Sequence, residues 1–286
     1  MKSCLIVEGG GMKCAHSAGV LDRFIDENIT FDEVIGVSAG AANAASYLAG
    51  QRGRNLRFYT THMHEPEYMG VKNFILHGQY FNLQYIYGTL TNKDGADAID
   101  YPAVCRNPAE LYITATEAES GCARYFSKTE MNQDDYRAIM AGCCLPVMCR
   151  PIEIDGRHYY DGGVADSIPI EKALADGCDK IVLLLANERG FVRQPQKYKV
   201  LYHILLHKFP ETVKKIDSRY LRYRKTLDFI MQLEKEGRVF VICPSDLCGV
   251  TTSSMDDFAH QKLYEQGIRD FESVKDALYS YLNKSE

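Results

Sequence analysis

Residues 34–43 read VIGVSAGAAN. An apolar, β-branched run, EVIGV at 33–37, ends at a serine set between two glycines, and small helix formers follow. Gly36-Val37-Ser38-Ala39-Gly40 has the form GxSxG in the strand–turn–helix setting of a nucleophile elbow. The order has a physical reason. A sharp turn lifts the serine hydroxyl out of the fold, and side chains two places to either side would strike neighbouring elements, so Gly36 and Gly40 remove them. The turn also puts Ser38 at a helix N-terminus, whose dipole favours developing negative charge. An ordinary N-cap serine would sit in the same place. The alanines at 39, 41, 42, 44 and 45 predict a helix packed closely on the sheet.

Outward from this point, strand and helix alternate. Short apolar runs recur at 3–8, 111–117, 181–186 and 239–243, several without the polar alternation of a half-exposed strand. Helical spacing joins Ala15, Ala18, Leu21, Phe24 and Ile25, and again runs through 256–283. The pattern predicts an α/β fold with a largely parallel sheet. Residues 52–100 carry the weakest periodicity and are expected to form a cap insertion. With no repeat or low-complexity linker, residues 1–286 read as one domain, with 197–286 as a C-terminal extension packed on it.

Composition bounds the function. The 286 residues are 46% apolar and 25% charged, a soluble globular balance with room for a sizeable core. A net charge of −5 argues against a nucleic-acid partner. No run approaches the roughly 18 apolar residues of a membrane span, and the N-terminal MKSCLIVEGG is too short for a signal sequence. The ten cysteines contain no CxxC pair or zinc spacing, so reduced thiols in a cytoplasmic protein are expected. Adjacent Cys143 and Cys144 read as small residues near a helix end.

Two further segments carry chemistry. VEGGGMKCAHSAGVL, residues 7–21, places Gly9, Gly10 and Gly11 between a strand and a helix, where successive N–H groups form an anion nest for a phosphate or an oxyanion. A dinucleotide fingerprint fits poorly: Cys14 stands where its last glycine belongs, and the next strand ends in Val37 and Ser38 rather than an acid. A phosphate-binding loop is excluded, because no GK[ST] follows. IEIDGRHYYDGGVADSIPI, residues 152–170, reads as a hairpin turn at Asp155-Gly156, then Asp161 before Gly162 and Gly163. Asp161 suits the base that a serine nucleophile requires.

Together these segments resemble the patatin-like phospholipases, and among them the bacterial members. The likeness also takes in 136–170 and the C-terminal RYRKTLDFIMQLEKEGRVFVICP. The resemblance implies a three-layer α/β/α sandwich and a Ser–Asp dyad that cleaves lipid esters through an acyl-enzyme. Ser38 matches the nucleophile, Asp161 the base, the N–H groups around Gly10, Gly11 and Met12 the oxyanion hole, and Lys13 a basic loop position. No metal or cofactor is implied. Cys14 departs from the family's glycine and would be strained at a positive φ. An acyltransferase would share the acyl-enzyme, and a Ser–His–Asp esterase would need His203, His207 or His260 in chain order. KYKVLYHILLHKF, 197–209, reads as a lipid-surface helix or a partly buried one. The basic residues Arg219, Arg222, Arg224 and Lys225 read as a solvated helix face.

Overall fold

A computed structural model of the chain describes residues 1–283. Among them, eight strands form one sheet: β1 (Lys2–Val7), β2 (Glu33–Val37), β3 (Glu110–Glu117), β4 (Ala123–Ser127), β5 (Ile152–Ile154), β6 (Arg157–Asp161), β7 (Cys178–Leu184) and β8 (Val239–Ile242). The α-helices are α1 (Ala15–Asp26), α2 (Ala39–Leu48), α3 (Arg54–Thr60), α4 (Val71–His77), α5 (Tyr101–Arg106), α6 (Arg137–Gly142), α7 (Ile170–Ala175), α8 (Lys199–Leu205), α9 (Pro210–Lys235) and α10 (Asp257–Asn283).

The centre of the sheet is parallel: β3, β2, β1, β7 and β8 lie side by side in that order. Their side chains alternate between two cores. Leu5, Val7, Val34, Val182 and Leu184 pack with Leu21 and Phe24 of α1, Ala44 of α2 and Phe271 of α10. Cys4, Ile6, Ile35, Ile181 and Leu183 pack on the opposite face with Ile170 of α7 and Tyr223, Ile230 and Leu233 of α9. Burial on both faces is why these strands read as unbroken apolar runs, and each buried Leu, Ile or Val contributes roughly 1.5–3 kcal/mol. The result is the expected three-layer arrangement, with helices on both sides of a mostly parallel sheet.

The other strands are antiparallel. β5 and β6 form a hairpin whose turn residues Asp155 and Gly156 take φ values of 52° and 75°, as a tight two-residue connection requires. β4 pairs with Tyr112–Thr116 of β3. β2 pairs with Glu110–Thr114, and β6 with Ala115–Glu117. Since β4 overlaps both registers, β2 and β6 must lie in series along the opposite edge of β3. β2 ends at Val37 opposite Thr114, and β6 ends at Asp161 opposite Ala115.

The segment 52–100 holds α3, α4 and a π-helical stretch, Tyr85–Leu90. It is fastened to α2 by Arg54, whose buried guanidinium donates to Ser46 Oγ at 2.8 Å, Thr91 Oγ1 at 3.1 Å and Asp97 O at 2.8 Å.

α10 crosses α1 at reciprocal glycines. A Cβ on Gly19 would stand 2.1 Å from Tyr264 O, and one on Gly267 would stand 2.1 Å from His16 O. Backbone meets backbone here, so no flexible side chain can yield. Gly267→Ala is expected to lower the unfolding free energy by about 1–3 kcal/mol, read by urea denaturation. Glu265→Ala, exposed on the same helix, should stay within about 0.5 kcal/mol of wild type. Equal stabilities would show that the crossing relaxes freely.

Candidate active site

Ser38 follows β2 with φ 53° and ψ −135°, a conformation a non-glycine residue holds at a cost of about 1–3 kcal/mol. Its carbonyl accepts from Ala41 N–H at 2.8 Å, closing the turn into α2. The flanking glycines permit the angle. A Cβ at Gly36 would lie 2.3 Å from Ala41 Cα, and one at Gly40 would lie 2.4 Å from Val7 O.

The glycine loop passes beside this turn. Glu8 anchors its start: Oε2 accepts from Ala186 N–H and Oε1 from the Tyr223 hydroxyl, each at 2.8 Å, while burial pushes the carboxyl pKa up. Gly9 runs against Ser38 and Gly10 against Ala186. Gly11 takes φ 58° directly beside Thr252 O and opens a short 3-10 turn, Gly11–Cys14, that leads into α1. Cys14 has φ −69° and ψ 0°, so the strain expected there is absent, and its buried thiol donates to Glu8 O at 3.5 Å. Met12 N–H is taken by Thr252 O at 3.1 Å. The Gly10 and Gly11 N–H groups have no backbone partner among the described residues, although Gly10 N–H lies near Cys14 Sγ. Lys13 Nζ donates to Asn187 Oδ1 at 2.5 Å, and burial lowers its pKa.

Asp161 ends β6 and is 2% exposed. Its N–H donates to Cys144 O at 2.7 Å, and its carbonyl accepts from Thr116 Oγ1 at 2.8 Å, so the backbone is held on both sides. Oδ1 accepts from Gly163 N–H at 2.8 Å, whereas Oδ2 is buried without an aligned hydrogen-bond partner. Burial pushes the carboxyl pKa up; the adjacent Ser38 hydroxyl, then Arg219, Gly163 N–H and Arg193, pull it back down. Ser38 is thus close enough to act on Asp161 without a well-directed hydrogen bond, a common geometry before substrate is bound. Gly162 lies against Thr114 O, which lets the chain turn tightly over β3.

Ser38 lines two cavities. One, about 650 Å³ including its open mouth, is walled by Phe58, Tyr68, Phe81, Leu83, Ile86 and Tyr87, with Gly11 and Met12 at its edge. The other, about 690 Å³, is lined by Gly9, Gly10, Lys13, Asp161, Gly163, Arg193 and Arg219. Leu145 borders both.

Among the described side chains, no histidine lines either cavity. His260 is buried with Nδ1 on Tyr59 O at 2.7 Å, His203 pairs with Asp217, and His207 Nδ1 meets Ile204 O. The expected solvated basic face fails at two positions. Arg219 reaches the second cavity, and Arg222 donates to Val164 O at 2.6 Å. Helical spacing marks the turn: Ile216, Arg219, Tyr223 and Ile230 follow one inward face of α9. Arg193 and Thr252, in loops, carried no sequence signal. Among the described residues, one group of potential metal ligands, Cys4, Glu33 and Cys178, lies buried near the opposite ends of β1, β2 and β7, with Lys2 Nζ 2.7 Å from Glu33 Oε2.

The model of the family described as patatin-like phospholipase matches residues 5–174, and the chain belongs to that family. It is therefore a lipid hydrolase in general class, with lipid esters as its kind of substrate. A second model, a domain of unknown function (DUF6363), matches residues 209–283. The uncharacterized protein YjjU of Escherichia coli K12 is 25% identical over 243 residues, which cover 84% of this chain and 68% of that protein. The crystal structure of VipD from Legionella pneumophila aligns with a TM-score of 0.49 at 11% identity, over 96% of this chain and 67% of that one.

The strain at Ser38 gives a stability prediction. Ser38→Gly releases about 1–3 kcal/mol of backbone strain, against about 0.4–1 kcal/mol for the freer unfolded chain. The variant should be at least as stable as wild type in urea; a clear loss would mean that the serine side chain holds the turn.

Proposed function

We propose that the chain hydrolyses carboxylic esters of lipids, with Ser38 as nucleophile and Asp161 as general base. The observation that carries this reading is the unpartnered, buried Oδ2 of Asp161 beside a serine in an elbow turn. Asp161 accepts the Ser38 proton as Oγ bonds to the ester carbonyl carbon, and the carbonyl π pair moves to oxygen. Gly10 and Gly11 N–H are the donors nearest to hand for that oxyanion; Met12 N–H would have to leave Thr252 O. Each such donor is worth about 3 kcal/mol. The carbon–alkoxy bond then breaks, and Asp161 returns the proton to the departing alcohol. Water repeats the sequence on the acyl-enzyme, giving the free acid and restoring Ser38.

The apolar cavity suits the acyl chain, and the polar one the alcohol half. His203, His207 and His260, the histidines that a triad in chain order would need, line neither cavity, which supports a dyad over a triad. No described helix is long and apolar enough to cross a membrane. Contact with a lipid surface would fall to α8, where Val200, Leu201, Ile204 and Leu205 stand exposed near Lys199 and Lys208 while Tyr202 faces inward. Ten free cysteines fit a reducing cytoplasm.

Three measurements test the mechanism. Ser38→Ala and Asp161→Asn should each lower kcat/KM on a short acyl ester by about 1,000-fold or more, and a fluorophosphonate probe should label wild type at Ser38. His203→Ala, His207→Ala and His260→Ala should stay within about tenfold of wild type; a loss in any of them matching Asp161→Asn would install a triad instead. The pH profile has a definite sign. Burial raises the Asp161 pKa, so the base becomes protonated, and kcat/KM falls, as pH drops through a value above the ordinary aspartate value of about 4. An acid limb below that value would assign the base elsewhere.

A further inference from the structure

The second cavity holds more positive charge than cleavage of a neutral ester requires. Lys13, Arg193 and Arg219 line it, and Asp161 is the one carboxylate among the lining residues. Neither guanidinium has a carboxylate at ion-pair distance among the described residues. Arg219 Nε donates only to Ser167 Oγ, at 3.3 Å, and Arg193 Nε is buried without a partner. Aromatic faces hold the cations without neutralising them: Arg193 stacks 4.4 Å from the Tyr223 ring centroid, and Lys13 Nζ lies 5.8 Å from that of Phe191. A Cβ on Gly163 would fall 2.6 Å from Arg219 Nη2, so the second glycine after Asp161 makes room for the guanidinium. Glu8 lies behind the wall with both oxygens already committed. Burial, and after it the neighbouring Arg193, push Arg219 down to about 10, and Asp161 and Glu8 offset this only in part. Such a cluster is stabilised by the anion that enters it.

We propose that this cavity is a subsite for a phosphomonoester on the alcohol half of the substrate, so that the preferred esters are acylated polyol phosphates with a terminal phosphate. The proposal rests on Ser38 as the nucleophile, since Ser38 joins this cavity to the apolar one. Among the lining side chains, three cations less one carboxylate (3 − 1) leave +2, which matches the roughly −2 of a phosphomonoester near neutral pH, and burial pushes Glu8 behind them toward its neutral form. A phosphodiester head group ending in choline or ethanolamine brings one negative charge and sets its own cation among three others. Two arginines offer paired N–H donors to phosphate oxygens in a way a lone lysine does not. Arg193 and Arg219 both lie outside residues 5–174, so two of the three cations of the subsite come from the part of the chain beyond the patatin match.

The test compares three esters with one acyl chain, below their micellar concentrations: dodecanoylglycerol 3-phosphate, dodecanoylglycerol and dodecanoylglycerophosphocholine. Wild type should favour the first over the other two by about 10- to 100-fold in kcat/KM, with the preference fading below about pH 6, where the phosphate dianion takes up a proton and keeps one negative charge. Arg193→Gln and Arg219→Gln should each cut that ratio by about tenfold, mainly through KM; the ratio cancels any general loss of activity. Where Arg219→Gln does not fold, Arg219→Lys keeps the charge, loses the paired donors and should still lower the ratio. Equal turnover of the three esters, or preference for the phosphocholine, overturns the subsite while leaving Ser38 hydrolysis intact. Inhibition by inorganic phosphate without preference for the phosphorylated ester assigns the pocket to free phosphate and overturns it too. If no ester is cleaved, the hydrolase reading fails by itself, and calorimetry then judges the subsite. Dodecyl phosphate should bind wild type and not Arg193→Gln, and absence of binding to wild type overturns the proposal.

Discussion

A strand has two edges, and β3 uses one of them twice. β2 occupies that edge up to Thr114 and β6 occupies it from Ala115, running the opposite way, so the two strands meet end to end. Ser38 and Asp161 are the residues at that meeting. Their proximity therefore rests on backbone pairing within the sheet rather than on the course of a loop. Thr116 reinforces the junction, donating from Oγ1 to Asp161 O at 2.8 Å and accepting from Ala165 N–H at 3.0 Å. The elbow and the Asp-Gly-Gly turn then need only point inward from a fixed frame.

What surrounds the junction is an electrostatic compromise. A buried carboxylate without a full set of donors is costly, and burial raises its pKa. Arg219 and Arg193 stand near enough to hold the anion in place without meeting it in an ion pair. A direct Arg–Asp161 bridge would stabilise the fold more and weaken the base, because a paired carboxylate is a poor proton acceptor. Keeping the cations one layer back leaves Oδ2 unpartnered.

The parts of this design legible in the sequence were those with a local physical signature. EVIGV became β2 with the bounds read from it, because a strand buried on both faces cannot disguise its composition. The glycine-flanked Ser38 was visible because the turn tolerates no other side chains. β4, written ARYFS, and the short β5 did not stand out: both are half-exposed and take their place from the neighbour they pair with. The same limit applied to the cations. Arg219 sits in a helix whose mean character is polar; its spacing from Ile216 and Tyr223 puts it on the inward face, but tertiary packing decides which cavity that face lines. The family resemblance implies Met12 as an oxyanion donor, and nothing local announces that Thr252 already occupies its N–H.

The Met12–Thr252 contact and the crossing of α10 over α1 share a consequence for biosynthesis. Residues 9–14, Ser38 and Asp161 all leave the ribosome before Thr252 and Gly267 do. A nascent chain that already displays both side chains of the dyad thus lacks the carbonyl against which Gly11 and Met12 are set, and lacks the helix that braces α1 behind them. The shape of the glycine loop therefore waits for translation to pass α10.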